Sequence, residues 1–469
     1  MLFNSLHFLL FLPAVAALYY LLPHKYRWIL LFLGSCYFYM AFVPSYILIL
    51  FAIIIIDYVS GLVIERSIKK RTKQVYLLVS ILSNVGILCF FKYFNFLESN
   101  LDSVVTFLGG NYKPSELNII LPIGLSFHTF QSMSYTIEVY RGNQKAEKHL
   151  GYFANYVLFF PQMVAGPIEK YSQLGSELKK QISPIYDNFA HGFRLILFGL
   201  FIKMTVADNL APIVNEVYAD PKAYNSISIL NAIIFFSFQI YADFFGYSTI
   251  ASGAAKLLGI DLINNFRTPY LSISINDFWK RWHISLTTWF REYVFIPLGG
   301  SRVSTFKWAV NIIIIFFVSG LWHGASWTFV VWGLLHGIVY LFERGLTKLF
   351  KLQFKEEASI INFLLGVKTF FIVSFIWIFF RAETFDKAKE IITSLVNNWK
   401  VEGKDVIYGY AFFFIGVLVF FDILLKKNRI DSWLGERNEL VRWGCYSVLL
   451  FFVLTMSGME NLPFIYFQF

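Results

Sequence analysis

The chain has 469 residues, 57% hydrophobic, 20% aromatic and only 15% charged, with a mean hydropathy of +0.58. Soluble domains carry about a quarter charged residues, and disordered chains combine low hydrophobicity with high charge, so both classes are excluded. The 40 Lys and Arg exceed the 30 Asp and Glu by a formal +10, an excess that suits a positive-inside bias of membrane loops rather than nucleic acid.

Apolar runs lie near residues 5–22, 28–42, 45–64, 75–97, 118–139, 152–165, 189–206, 227–245, 308–342 (interrupted), 359–380, 407–425 and 441–456. At roughly 20 residues per span they predict an all-α polytopic membrane protein of about 11–13 transmembrane or re-entrant helices. The first run has no Lys or Arg before Lys25, so it reads as an uncleaved span rather than a signal peptide. The loop from Glu65 to Lys73 holds Arg66, Lys69, Lys70 and Arg71 and marks the cytoplasmic side. Counting from it puts the N-terminus outside and Lys25 and Arg27 inside. Residues 98–117, with Glu98, Asp102 and Glu116 against Lys113, fall outside, and Arg141, Lys145 and Lys148 fall inside. Arg344, Lys348, Lys351 and Lys355 mark one further inside loop, and Lys426, Lys427 and Arg429 another. Residues 381–405 and the C-terminal tail are then extracytoplasmic, in a multi-pass membrane protein.

Between residues 166 and 307 the spans are short and rich in Gly, Pro and polar residues. Irregular backbone at membrane depth is tolerated only where it is buried in protein or lines a cavity, so function is expected there. The chain is read as one membrane domain over 1–469, with N-terminal spans at 1–140, a core at 141–345 and C-terminal spans and an aromatic tail at 346–469. No internal repeat supports an inverted-repeat transporter. Cys36, Cys89 and Cys445 stand alone in apolar segments, with neither disulfide nor metal-ligand spacing.

Chemistry concentrates at a few polar intrusions. The apolar run from Phe306 to Val318 is broken by Ser319-Gly320-Leu321-Trp322-His323-Gly324-Ala325-Ser326. Basic residues on both sides (Arg302 and Lys307, then Arg344 and Lys348) put both ends in the cytoplasm and the break at membrane depth. An apolar setting favours the neutral imidazole that a general base requires, which makes His323 the catalytic candidate. A hydrogen bond stabilising a kink is its structural alternative. His336 lies about 20 Å further along if the helix is continuous, too far to share a metal, and serves either packing or lining. The segment Asn276–Leu286 continues to Tyr293 with Trp279, Trp282, Leu286, Trp289, Phe290 and Tyr293 at helical spacing, which predicts one aromatic face, with Lys280, Arg281 and Arg291 off it. That pattern fits an interfacial helix; it also fits a site in which Asn276 and His283 reach the His323 break and the cations meet an anionic donor. Ser126, His128, Thr129, Gln131 and Ser134 interrupt the span near 118–139, and Gln239 and Asp243 interrupt Phe235–Tyr247. Structural hydrogen bonding is the expected role of these groups, and together they imply a polar interior passage.

At these residues the sequence resembles the membrane-bound O-acyltransferase family, in its bacterial alginate O-acetylation branch. The matching stretches are FNSLHFLLFLP, LPIGLSFHTFQSMSYTIEVYRG, FPQMVAGPIEKYSQL, FQIYADFFGYSTIASGAAKLLGI, NDFWKRWHISLTTWFREYVFIPLGG, GLWHGASWTFVVWGLLHG and the terminal PFIYFQF. The resemblance implies a ring of tilted helices around a central tunnel and funnel. It implies that His323 is the essential histidine, His283 a second one at the funnel base, and Asn276 the start of a segment carrying a paired polar residue. It also implies an extracytoplasmic partner of the SGNH-hydrolase type that delivers acyl groups to a polysaccharide.

The expected reaction moves an acetyl group from a cytosolic thioester, acetyl-CoA, with no resident cofactor or metal and with Lys280, Arg281 or Arg291 near the donor phosphates. The apolar tail Phe464–Phe469 offers Tyr466 as a transient acyl acceptor, because a phenol of pKa ~10 loses its proton more readily than a sugar hydroxyl. A related aromatic–Tyr motif in the similar teichoic acid D-alanylation machinery supports that role; an interfacial anchor is the alternative. D-Alanyl transfer from a carrier-protein thioester, and a non-enzymatic polysaccharide or lipid transporter, are the competing functions.

Overall fold

The computed structural model describes residues 1–115, 117, 119, 121–350, 360–400, 409–457 and 463–467. Glu116, Lys351, Lys355, residues 401–405, Gln468 and Phe469, to which the sequence reading assigned loop or tail positions, lie outside the described residues. Among those described, all regular structure is helical, and the chain is an all-α polytopic membrane protein. It forms two compact units, residues 1–189 with 254–263, and residues 190–253 with 264–469. Those boundaries do not coincide with the divisions expected at 140 and 345.

The first unit contains α1 (Leu6–Leu21), α2 (His24–Met40), α3 (Ile47–Arg66), α4 (Lys70–Leu88), α5 (Phe94–Phe107), α6 (Leu125–Arg141) and α7 (Leu150–Leu158). A buried carboxylate ties three of them together: Asp57 on α3 accepts hydrogen bonds from Asn84 of α4 at 2.8 Å and from Ser132 of α6. The polar residues of α6 serve the structural role expected of them. His128 Nδ1 donates to the Val157 carbonyl at 2.8 Å, Gln131 Nε2 to the Tyr156 carbonyl at 2.5 Å, and Thr129 and Ser134 bond within the helix. The run near 152–165, expected to span, is only the nine-residue α7 followed by a non-helical stretch. At 1.5 Å per residue that is less than half of a ~30 Å hydrocarbon core.

The second unit is built on α8 (Tyr186–Leu200), α9 (Asp208–Ala219) and α10 (Ser226–Leu257), followed by α11 (Ile275–Trp279), α12 (Ile284–Phe290), α13 (Thr305–His323), α14 (Trp327–Leu349), α15 (Ile360–Arg381), α16 (Phe385–Asn397), α17 (Gly409–Leu424), α18 (Ile430–Gly435) and α19 (Glu439–Met456). The segment 275–293, read as one helix with one aromatic face, is broken. His283 sits between α11 and α12 in the left-handed region at φ +43°, and a π-helical turn follows at Arg291–Phe295. Trp279, Trp282 and Leu286 are nevertheless all buried, each by its own local geometry.

Among the described residues, eight helical stretches are long and apolar enough to cross a membrane, and α1 and α17 are shorter apolar helices. Enclosure differs sharply among them. The apolar window of α10 is 78% buried, against 17% for residues 70–107, so α10 is a core helix and the latter faces lipid. In α13 the helix does not stop at Val318; it continues through Ser319 and Gly320 to His323, 19 residues or about 28 Å in all. A short turn at Gly324–Ser326 then returns the chain as α14. A Cβ on Gly320 would lie 2.3 Å from the Phe329 carbonyl, and one on Gly333 2.2 Å from that of Phe316, so the hairpin packs backbone against backbone. Gly320→Ala or Gly333→Ala is expected to destabilise the detergent-solubilised protein by about 1–3 kcal/mol, the usual cost of overpacking. Gly345→Ala, whose added carbon meets nothing within 4 Å, is the neutral control. Fluorescence-detected size-exclusion melting checks all three.

Candidate active site

His323 is the last residue of α13 and is 4% exposed. Rings enclose it: Trp322 and Trp332 at 4.9 Å between centroids, Phe380 of α15 at 5.3 Å and Tyr466 at 5.7 Å. Trp332 is presented from the first turns of α14, where the Ser326 side chain caps the helix by accepting from the Thr328 N–H. His323 therefore stands on the hairpin tip, and its position follows from the backbone contact of α13 with α14.

His283 is fully buried and held from both sides. Asn265 accepts from the Ile284 N–H through its carbonyl at 2.9 Å and from the Ser285 hydroxyl through Oδ1 at 2.6 Å. The Arg267 N–H donates to the Arg281 carbonyl at 2.9 Å. Thr268 in the same loop is, among the described residues, the other non-glycine residue at positive φ, +47°. Non-glycine residues in this conformation cost energy and persist where the surroundings impose them, often at functional sites. The His283 ring lies edge-on to Phe244 of α10 at 4.7 Å and 6.2 Å from Trp322.

Into the space between the two histidines comes the tail. Tyr466 packs on Phe244 at 4.8 Å, on His323 and on Phe380 at 6.0 Å. Its hydroxyl is sealed from solvent and makes no hydrogen bond among the described residues. Phe464 is fully buried against Phe244 and Tyr247, at 5.3 and 4.9 Å. Tyr466 thus touches the His323 ring directly in an aromatic chamber, and His283 lies one ring away from each of them, across Phe244 from Tyr466 and across Trp322 from His323.

The other named residues are placed differently. His336 lies one turn beyond Trp332, between Trp279 at 5.0 Å and Trp332 at 5.1 Å, so it is separated from His323 by the Trp332 ring. The hairpin brings it nearer than a continuous helix would. Asn276 is exposed on α11, and Lys280 is exposed as well. Arg281 is committed to Asp277 at 2.8 Å, and Arg291, 62% exposed, lies 3.8 Å from Glu292. A cation set lines a cavity of about 610 Å³: Arg267, which the sequence reading did not name, with Lys426, Lys427 and Arg429, which it read only as orientation signals; Arg429 pairs with Asp431 at 3.0 Å. Its inner wall includes Tyr241, whose hydroxyl donates to Asp422 at 2.8 Å. Ring contacts run from Tyr241 through Trp282 at 6.1 Å and Trp377 at 5.1 Å to Phe380 and Trp332, which touch His323.

Comparison with known proteins identifies the family. Residues 146–382 match the model of the membrane-bound O-acyltransferase (MBOAT) family. The chain is 36% identical to a probable alginate O-acetylase, AlgI, of Azotobacter vinelandii, over 85% of its own length and 78% of the relative's. The corresponding protein of Pseudomonas aeruginosa is 37% identical over 83% and 73%. A peptidoglycan O-acetyltransferase of Helicobacter pylori is 32% identical over 78% and 73%. The chain belongs to the membrane-bound O-acyltransferase family, and it is an O-acyltransferase.

The backbone at position 283 separates folding from chemistry. His283→Asn is expected to fold, since Asn tolerates the left-handed region, and to lose acyl transfer. His283→Val is expected to lose both, with about 1–3 kcal/mol of added strain. Melting temperature and turnover measured side by side check this.

Proposed function

We propose that the protein transfers an acetyl group from a cytosolic thioester, acetyl-CoA, to an extracytoplasmic polysaccharide, with Tyr466 as the intermediate acceptor. The observation that carries the reading is the buried Tyr466 ring packed on His323 with its hydroxyl sealed from solvent, and His283 one ring away behind Phe244. His323 takes the proton of the Tyr466 hydroxyl; the phenolate attacks the thioester carbonyl, the C–S bond breaks, and the thiolate leaves with the proton. The ring centroids are 5.7 Å apart, within reach of a side-chain rotation that brings the hydroxyl to an imidazole nitrogen. His283, held in its unusual conformation on the far side of Phe244, orients or protonates the departing groups. The aryl ester on Tyr466 is reactive enough to pass its acetyl group to the nucleophile of an SGNH-hydrolase-like partner, which acylates the polymer. His336, behind Trp332, supports the position of that ring.

The donor enters by the cavity lined by Arg267, Lys426 and Lys427. Three cations that make no ion pair among the described residues suit the phosphates of a nucleotide thioester, and the aromatic walls suit its apolar parts. Lys280 and Arg291 remain alternative candidates for the same phosphates, and Arg281 is less available because Asp277 holds it.

His323→Ala is expected to lower acetyl transfer by about 10²–10⁴-fold while the protein still inserts and folds. Labelled acetyl-CoA followed by intact-protein mass spectrometry should place one acetyl group on Tyr466. Full polysaccharide acetylation by Tyr466→Phe would rule out the relay. For the donor route, Arg267→Gln with Lys426→Gln is expected to raise KM for acetyl-CoA several-fold with little change in kcat, the pattern of lost ground-state binding. The same rise from Lys280→Gln and Arg291→Gln, with no effect at Arg267 and Lys426, would move the donor to α11 and α12.

A further inference from the structure

Beside the chamber lies a buried charge cluster that the reaction as written does not use. Lys203, 1% exposed, pairs with Asp208 and, at 2.8 Å, with Asp243 on α10. Two local features bring these groups together. Gly192 and Gly199 of α8 pack against Gly253 and Gly246 of α10, where added Cβ atoms would meet backbone at 2.8–2.9 Å, so the two helices approach closely. The helix then widens into a π-helical stretch at Phe201–Ala207, in which residues five apart share a face, and Lys203 and Asp208 are five apart. Buried ion pairs add little net stability, because desolvation offsets their attraction, so the cluster needs another reason to exist. Its geometry supplies one. The second carboxylate oxygen of Asp243 accepts the Ile465 N–H at 2.6 Å, across 222 residues of sequence. Phe464 seats on Phe244 and Tyr247 of the same helix, and the Lys203 ammonium lies 5.6 Å over the Tyr247 ring.

We propose that Asp243, ion-paired to Lys203, is a positioning residue that clamps the tail through the Ile465 N–H and so delivers Tyr466 to His323. The inference rests on the reading of Tyr466 as acyl acceptor, and it adds the group that holds the acceptor in place. The clamp grips main chain rather than a side chain, so it fixes the register of the segment. A shift of one residue would put Ile465 or Phe467 where the hydroxyl is required.

The test uses the full-length protein in detergent or vesicles, with Ile465→Cys as reporter, since the Ile465 side chain is 3% exposed. Maleimide modification of the introduced thiol, located by peptide mass, is expected to speed up about tenfold or more when Asp243→Ala is added, as befits loss of a charge-assisted hydrogen bond. In the Asp243→Ala variant without the reporter, acetyl-Tyr466 formed in a single turnover should fall by a comparable factor with KM for acetyl-CoA unchanged. Asp243→Asn, which keeps an acceptor but not the ion pair, should fall between. Ile465→Pro removes the N–H at the first residue of a 3₁₀ turn, where the fixed proline φ is tolerated, and leaves the charge cluster intact; it is expected to lower acetyl-Tyr466 as Asp243→Ala does, and it decides the matter if Asp243→Ala fails to fold. A reporter thiol that stays protected in Asp243→Ala, or wild-type acetylation of Tyr466 in Ile465→Pro, would overturn the clamp. If wild-type protein never carries acetyl on Tyr466, the relay fails while the reactivity of the reporter thiol still judges the clamp.

Discussion

At membrane depth every polar group needs a protein partner, and this requirement organises the second unit around α10. That helix carries Asp243 toward Lys203, Tyr241 toward Asp422 and Phe244 toward His283 and Tyr466. Each contact takes a group that lipid would penalise and gives it a neighbour. The chamber is the outcome of that process: the Tyr466 phenol packs on the His323 imidazole, with His283 across Phe244, while the carboxylates and the ammonium satisfy one another alongside. Aromatic rings fill the remaining volume. They exclude water without offering a competing acceptor, which suits an acyltransferase, whose chemistry competes with hydrolysis.

The sequence is legible where a single residue type is informative on its own. An ionisable residue inside an apolar run is costly anywhere but in a protein-lined site, so His323 stands out before any coordinates, as does the class of fold. The structural role of His128, Gln131 and Ser134 follows from the same rule. Legibility ends where helical periodicity is assumed to continue. One left-handed residue at His283 splits 275–293 into two short helices, which leaves Asn276 exposed and dissolves the single aromatic face. A five-residue spacing does not share a face in an α-helix, so the Lys203–Asp208 pair stays hidden until the π-helical stretch is seen. Phe380 and Trp377, which complete the walls around His323, belong to a run whose apolar composition gives no sign of which face turns inward.

The cations illustrate a related limit. Lys280, Arg281 and Arg291 attract notice because they interrupt a tryptophan-rich segment, whereas Lys426 and Lys427 look like orientation signals in a loop. The fold gives those two a cavity, with Arg267 from a distant part of the chain on its rim. A charge that reads as a topology signal in the sequence is thus, in the fold, part of a cavity wall, which no count of loop charges reveals.

The glycine contact between α13 and α14 has a consequence for how such an enzyme can change. Only 28% and 33% of their apolar windows are buried, so most of both helices faces outward, while the surface joining them is carbonyl oxygen and glycine. The residues that meet the lipid are therefore not the ones that set the hairpin's geometry. Sequence drift that refits the outer faces to a bilayer of another thickness or composition leaves the His323 imidazole where the main chain puts it.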